Sequence, residues 1–237
     1  MSSGTLRGVP SASRIAHAGL PFAHPMSESA VYAAIAALPL PSEASVLDTG
    51  CGSGEILLRT LKAHPTARGL GVDLDADAIE EARSRANGMP ARFEVRDAAS
   101  IEGSFDAVIN VGSSHAHGGF PTALTVLRAL APVALYGDGF WQRPPSDAFL
   151  AALGGATADE LADLDGLRAA IRDTGFDILR EFFATEQDWA GYEETLAANG
   201  ERHGTPETLG YARRIRHRRA LAGGTDTLGF ALFVLSA

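Results

Sequence analysis

Apolar and polar positions follow two alternating rhythms between Ser45 and Tyr136. Short apolar runs of strand length give way to stretches with apolar residues at helical spacing, and the pair repeats. Val46 to Asp48 reads as a first strand running into a turn from Thr49 to Gly54. Helix residues follow, with Ile56, Leu57, Leu58 and Leu61 apolar. Gly69 to Val72 predicts a second strand ending at Asp73. Asp75 is placed to cap the next helix, whose inward face is Ala78, Ile79, Ala82 and Ala86. Arg92 to Arg96 alternates around Phe93 and Val95, a third strand ending at Asp97. Phe105 to Ile109 predicts a buried fourth strand ending at Asn110, a helix covers about Thr122 to Leu130, and Val133 to Tyr136 is a fifth strand.

The flanks are less regular. Residues 1–25 read as irregular, rich in Gly, Ser, Pro and His. Ser27 then caps a helix carrying Val31, Ala34, Ile35 and Leu38, and Pro39 and Pro41 end it. Beyond the fifth strand, a helix over Leu161 to Asp173 stops at Gly175, and Phe176 to Thr185 is a sixth strand. Helices near Trp189 to Ala198 and Pro206 to Leu221 precede a last strand, Leu228 to Leu235.

Strands alternating with helices imply an α/β fold: a doubly wound, mostly parallel seven-stranded sheet with helices on both faces. No repeat or linker divides the chain, so residues 1–237 are expected to form one domain. Residues 1–44 would be an N-terminal cap and 186–224 a small helical lid. Ligands of such sheets bind beyond the carboxyl ends of the strands. Gly50 to Gly54, Asp73, Asp97 and Asn110 all fall on that edge.

Composition narrows the function. A net charge of −9 argues against a dedicated nucleic-acid binder, which needs a basic face for phosphates. The most apolar segment, Pro121 to Tyr136, is broken by Arg128, so no membrane span is expected. Residues 1–20 hold no continuous apolar stretch, and the single cysteine, Cys51, precludes an internal disulfide. A cytoplasmic monomer or homodimer is the expectation.

The turn Asp48-Thr49-Gly50-Cys51-Gly52-Ser53-Gly54-Glu55 is the main chemical signal. Glycines allow tight backbone angles and close approach of a ligand to the main chain, and free N–H groups follow at the helix start. A dinucleotide site would need Gly-x-Gly-x-x-Gly with a pyrophosphate at that helix start. Here the spacing is Gly50-x-Gly52-x-Gly54, and Glu55 sets an anion where a pyrophosphate would lie. Asp73 follows Gly54 by 19 residues, a distance that suits ribose hydroxyls in either kind of cofactor. The glycine spacing therefore favours a methyl donor over a nicotinamide.

Val46 to Glu55 (VLDTGCGSGE) resembles the first motif of the class I S-adenosylmethionine-dependent methyltransferases. Gly71 to Ala82 (GVDLDADAIEEA) resembles the second, and Phe93 to Ala98 and Phe105 to Gly112 are similar to later ones. The likeness covers about residues 45–140. The whole chain also resembles a group of bacterial methyltransferases of poorly defined substrate, through PFAHPMSES near the start, DGFW after strand five and DWAGYE later. The resemblance implies S-adenosylmethionine as cofactor. It implies that Asp48, Gly50, Cys51 and Gly52 belong to the cofactor site, with the last three along the methionine and ribose. Asp73 would hold the ribose hydroxyls and Leu74 would flank the adenine. Asp97 with Ala98 would recognise the adenine amino edge, and Asn110 and Val111 would lie under the methionine. One departure is the connection before strand five, where Ala131-Pro132 replaces the family's usual Pro-Gly-Gly turn.

Methyl transfer to a small-molecule acceptor needs alignment, exclusion of water and, for some nucleophiles, a base. His115, after strand four, is the first candidate for a base or substrate contact; a hydrogen-bonding loop role is its alternative, as it is for His117. Asp138 is a second base candidate, or else a turn residue between Gly137 and Gly139. Trp141, Tyr192 and Tyr211 are candidate pocket walls. No third ligand accompanies His115 and His117, so no metal is expected. The arginines between Arg213 and Arg219 scatter around their helix, as in a solvated face, although a lid attracting an anionic substrate would use the same residues. Strand four lacks the Pro-Pro-aromatic sequence of nucleic-acid amino-methyltransferases. A non-catalytic binder of the donor or its product, or a nicotinamide-dependent oxidoreductase, is the alternative class.

Overall fold

The computed structural model describes residues 11–221 and 226–237. Seven strands form one sheet in the order β3-β2-β1-β4-β5-β7-β6. β1 (Ser45–Thr49), β2 (Arg68–Asp73), β3 (Ala91–Val95), β4 (Ala107–Val111) and β5 (Val133–Trp141) pair in parallel. β7 (Leu228–Ser236) runs antiparallel between β5 and β6 (Asp177–Phe183). The doubly wound, mostly parallel sheet read from the sequence is the observed one.

Alternation along the strands separates two cores. Val46 of β1, Ile109 of β4 and Leu135 of β5 face one side, with Ile35, Leu57, Leu61 and Ile79. These come from α2 (Glu28–Ala36), α3 (Glu55–Ala63) and α4 (Ala76–Ala86). Leu47, Val108 and Tyr136 face the other, against α5 (Phe120–Leu130) and α7 (Leu164–Asp173), through Leu124, Leu127, Leu167 and Ile171. Adjacent residues on opposite sheet faces are what a period of two requires. The caps agree with the sequence: Ser27 accepts from Ala30 N–H, and Asp75 accepts from Asp77 and Ala78 N–H.

A third, smaller layer comes from both ends of the described chain. α1 (Ala12–Ala16) packs on α8 (Glu186–His203) and α9 (Pro206–Ala220) through Ala16, Leu196, Ala197, Ala212 and Ile215. Asn199 fixes the contact by donating Nδ2–H to the carbonyls of Ala16 and Ala18 at 2.9 and 2.8 Å. The cap and lid boundaries expected from the sequence run partly outside the described residues, at 1–10 and 222–224.

Three elements differ from the sequence reading. α1 lies within the segment read as irregular; it is five residues long, too short for a periodic signal, although Ser11 caps it by accepting from Arg14 N–H at 3.2 Å. α6 (Asp147–Ala152) was not foreseen. β5 continues to Trp141, because β7 pairs with it along its whole length from Val133↔Ser236 to Trp141↔Leu228. Gly137 and Gly139 are therefore strand residues rather than turn markers. At Gly137 a Cβ would meet Leu232 Cδ2 at 2.6 Å and Val111 Cγ1 at 2.8 Å, so the neighbouring side chains account for that glycine.

Phe93 of β3 gives a testable case of the same constraint. Its buried ring lies where a Cβ on Gly71 would sit, at 2.6 Å, and where one on Gly54 would sit, at 2.7 Å. Gly71→Ala should destabilise the protein by about 1–3 kcal/mol through overpacking. Urea unfolding should show a lowered midpoint, and an unchanged midpoint would contradict this packing.

Candidate functional site

The end of β1 is tied to its neighbours before the chain turns. Gly50 N–H and Cys51 N–H both donate to the Val72 carbonyl of β2, at 2.9 and 3.0 Å. From the β4 side, Asn110 Nδ2–H donates to Thr49 Oγ1 at 3.0 Å, and Ser113 Oγ–H donates to the Thr49 carbonyl at 2.7 Å. Gly50, Gly52 and Gly54 all adopt positive φ, at 76°, 51° and 77°. Their surroundings differ. A Cβ on Gly50 would strike Ser113 at 2.5 Å, whereas one on Gly52 would meet nothing within 4 Å. Gly50 and Gly54 let the turn pack, and Gly52 faces open space.

Asp73 closes the turn from β2. Its Oδ2 accepts Gly52 N–H at 2.9 Å, and its Oδ1 accepts Asp75 N–H at 2.9 Å. Asp48 lies beneath, buried. Burial, aided by the Asp73 charge and opposed by a hydrogen bond from the Leu57 amide, pushes its pKa up to about 8. Burial, with the charges of Asp48 and Asp73, likewise raises the Cys51 thiol. A thiol so far from its thiolate is a packing group rather than a nucleophile.

The turn forms the floor of a cavity of about 760 Å³. Asp48, Gly50, Cys51, Gly52, Asp73, Val111 and His115 all line it. Its roof is α1 and the segment after it, including Arg14, His17, Phe22 and His24. Two contacts fasten the roof. Arg14 pairs with Asp75 at 2.8 Å, across the cavity mouth. His17 Nδ1 lies 2.7 Å from the Ser13 carbonyl, which makes it the protonated nitrogen; Nε2 then accepts the Tyr192 hydroxyl at 2.7 Å. The Arg59 guanidinium lies over the Phe22 ring, 4.9 Å from its centre, and Arg59 itself bridges Glu28 and Glu55 at 2.6 Å each.

Other residues singled out from the sequence lie off this cavity's wall. Leu74 is 71% exposed beside Asp73. Asp97 spends Oδ1 on Ala99 N–H at 2.9 Å as a cap, and Ala98 is buried behind it. Asn110 is buried and turned towards Thr49. Asp138, on β5, accepts the Tyr136 hydroxyl at 2.8 Å and Gly139 N–H at 2.7 Å, and burial together with Asp138 raises the Tyr136 pKa. Trp141 donates Nε1–H to the Ala158 carbonyl at 2.8 Å and meets Phe149 edge-on, away from the cavity. Tyr211 packs in the α1/α8/α9 layer, and Tyr192 lines a neighbouring cavity. His117 is buried, with a lowered pKa caused first by burial.

Within the basic run, Arg216 pairs with Glu194 and Glu201, and Arg218 and Arg219 pair with Glu193. Arg214 lies over the Tyr211 ring. These contacts match the reading of a helix paired with acidic neighbours, although the Arg218–Glu193 pair is largely buried rather than solvated. The roof residues Arg14, His17, Phe22 and His24 were missed. Phe22 and His24 fall within the PFAHPMSES resemblance, which carried no chemistry, and Arg14 and His17 had no signal in the sequence. No helix among the described residues is long and apolar enough to cross a membrane.

Comparison with known proteins accords with this geometry. Residues 46–134 match the family described as methyltransferase domain. An uncharacterized protein of Escherichia coli, YjhP, is 31% identical over 158 residues, which is 62% of this chain and 63% of that protein. The chain thus aligns with less than two thirds of that relative's length. The crystal structure of YjhP superposes with a TM-score of 0.84 at 24% identity, covering 96% of this chain and 100% of that one, and shares the fold. A methyltransferase from Thiobacillus denitrificans, solved with S-adenosylhomocysteine, superposes with a TM-score of 0.80 at 28% identity, covering 97% of this chain and 99% of that one.

Asp48 gives a pH test of the site. Its folded pKa is raised, so its contribution to stability is full below about pH 4 and is lost as pH rises through about 8. The ligand-free protein should melt at lower temperature at pH 9 than at pH 6, and Asp48→Asn should flatten that slope. Equal slopes in the two proteins would contradict the burial of an uncharged Asp48. Sheet order, glycine turn and the match over residues 46–134 together show that this chain carries a methyltransferase domain with the Rossmann-like fold of S-adenosylmethionine-dependent methyltransferases.

Proposed function

We propose that the protein transfers a methyl group from S-adenosylmethionine to a small-molecule acceptor by in-line displacement. The observation that carries this reading is Asp73, held by Gly52 N–H at the rim of a cavity into which Gly52 itself opens. Each Asp73 oxygen accepts one amide and keeps a lone pair for a ribose hydroxyl.

Charge supports the donor over a dinucleotide. Glu55, Asp73, Asp75 and Glu81 line the cavity with the uncharged Asp48, against Arg14; Glu55 is paired with Arg59 and Asp75 with Arg14, which leaves Asp73 at the floor. That lining suits a ligand with a sulfonium and an ammonium, and opposes the two phosphates of a pyrophosphate. Glu55, at the first position of α3, sits where a pyrophosphate would need free amides. The donor's cationic groups would also draw the Asp48 carboxyl towards its ionised form.

When bound, the donor supplies an electrophilic methyl on a positive sulfur. The chain's own part is placement and exclusion of water. The glycine turn and Asp73 fix the donor from below, and α1 with the segment through His24 covers it from above. His115 lines the cavity and is exposed enough to take a proton from an acceptor. Asp138, the second base candidate, is a poorer one, since its carboxylate is buried, doubly bonded and off the cavity wall. A cavity of about 760 Å³ falls within the size of small-molecule sites.

Two variants test the donor site. Asp73→Ala should weaken S-adenosylhomocysteine binding at least tenfold by calorimetry, the loss of about 1.5–3 kcal/mol from hydrogen bonds to a charged group. Gly52→Ala should fold, at a cost of about 1 kcal/mol for its positive φ, yet bind the same compound far more weakly because its methyl enters the cavity. Undiminished affinity in either would overturn the assignment. With methyl-labelled donor, the wild type should label a member of a small-molecule acceptor panel, and His115→Ala should lower that turnover more than donor affinity.

A further inference from the structure

A second cavity, of about 350 Å³, lies beside the first. The two share a wall made of Leu20, Pro21, Phe22 and His24. The far side of the second sets Pro25, Met26 and Tyr192 beside the polar Ser27 and Gln187. Its charged residues are the carboxylates Glu28 and Asp188, which disfavour an anionic ligand. Glu28 is bound to Arg59, and Asp188 is committed to the Thr185 cap of α8. The dividing segment belongs to no helix or strand.

His24 is the unusual member of that wall. Its ring is sandwiched between Phe22, 4.9 Å away and within 6° of parallel, and Phe230 of β7, 5.3 Å away and within 11°. It is 5% exposed. Nδ1 accepts the Met26 amide at 3.3 Å, and Nε2 has no partner among the described residues. Burial lowers its pKa to about 3, so the ring is neutral at pH 7. A neutral ring whose Nδ1 accepts must carry its proton on Nε2. The result is a donor held rigidly by two aromatic faces, with its proton unspent. A buried unspent donor costs about 1–3 kcal/mol, which a ligand oxygen would relieve.

We infer that His24 binds the methyl acceptor, donating its Nε2–H to an oxygen lone pair of a neutral, otherwise apolar molecule that occupies the second cavity and reaches past the shared wall to the donor. This assignment rests on the methyl-transfer reading above. His24 is thereby a specificity residue, distinct in role from the exposed His115: it offers a proton in a hydrogen bond and has no lone pair facing the acceptor. Phe22 and Phe230 set the plane of the ring, and the Met26 amide sets its tautomer.

The test uses the full-length protein saturated with S-adenosylhomocysteine, with acetophenone and ethylbenzene as probes of nearly equal shape, only one of which has a carbonyl oxygen. Imidazole nitrogen NMR should show His24 in the Nε2–H form, and acetophenone, not ethylbenzene, should shift that resonance. The wild type should bind acetophenone roughly fivefold more tightly than ethylbenzene, as a net hydrogen bond of about 1 kcal/mol gives. His24→Phe keeps the aromatic stack and should erase that preference. His24→Gln, which keeps a donor, should restore part of it. An Nδ1–H tautomer, failure of both probes to bind, or an undiminished preference in His24→Phe would overturn the role of His24. Loss of S-adenosylhomocysteine binding already in the wild type would instead overturn the methyl-transfer reading on which it stands.

Discussion

The hydrogen bond from Gly52 N–H to the Asp73 carboxylate joins the two strand ends that the site depends on. A turn of three positive-φ glycines has little conformational preference of its own. Here it is held on three sides: by the Val72 carbonyl, by Ser113 and Asn110 through Thr49, and by Asp73. The consequence reaches Asp48, which lies under the turn, close enough to Asp73 for that charge to oppose its ionisation. Two carboxyl groups near one cavity floor make the ligand-free site electrostatically strained and a cationic ligand its natural complement.

The upper half of the site obeys a different logic. The floor is built by the sheet, where β1 is paired with β2 on one side and β4 on the other. The roof is a short helix and an irregular segment that owe their position to side chains: Arg14 on Asp75, His17 on Tyr192, Asn199 on the α1 carbonyls and Arg59 on Phe22. Exposed ion pairs such as Arg14–Asp75 contribute at most about 1 kcal/mol each. A roof held by several such contacts opens at smaller cost than the sheet, which suits a site that must admit an acceptor and release two products. α8 and α9 brace α1 from behind rather than covering the cavity themselves.

The floor was legible in the sequence because its signals are local. Gly50, Gly52 and Gly54 mark a turn by composition, Asp73 and Asp75 mark a strand end and a cap, and the period-two and helical rhythms place them on one edge. The long β5 was not legible. Gly137 and Gly139 looked like turn residues, but both pair with β7, and the bulk of Leu232 and Val111 accounts for glycine at Gly137. Trp141 and Asp138 were consequently set near the pocket when they lie along a strand. The roof escaped for the opposite reason: His17 and His24 act through partners more than 170 residues away for His17 and more than 200 for His24, at Tyr192 and Phe230, and no local pattern encodes such contacts.

The central claim is that this cavity accepts the cationic methyl donor and refuses a dinucleotide. Calorimetric titration of the wild-type protein with S-adenosylhomocysteine and, separately, with NAD tests it most directly. The account predicts saturable one-to-one binding of S-adenosylhomocysteine and no measurable heat of binding with NAD. Tight binding of NAD, or binding of neither compound, would contradict it.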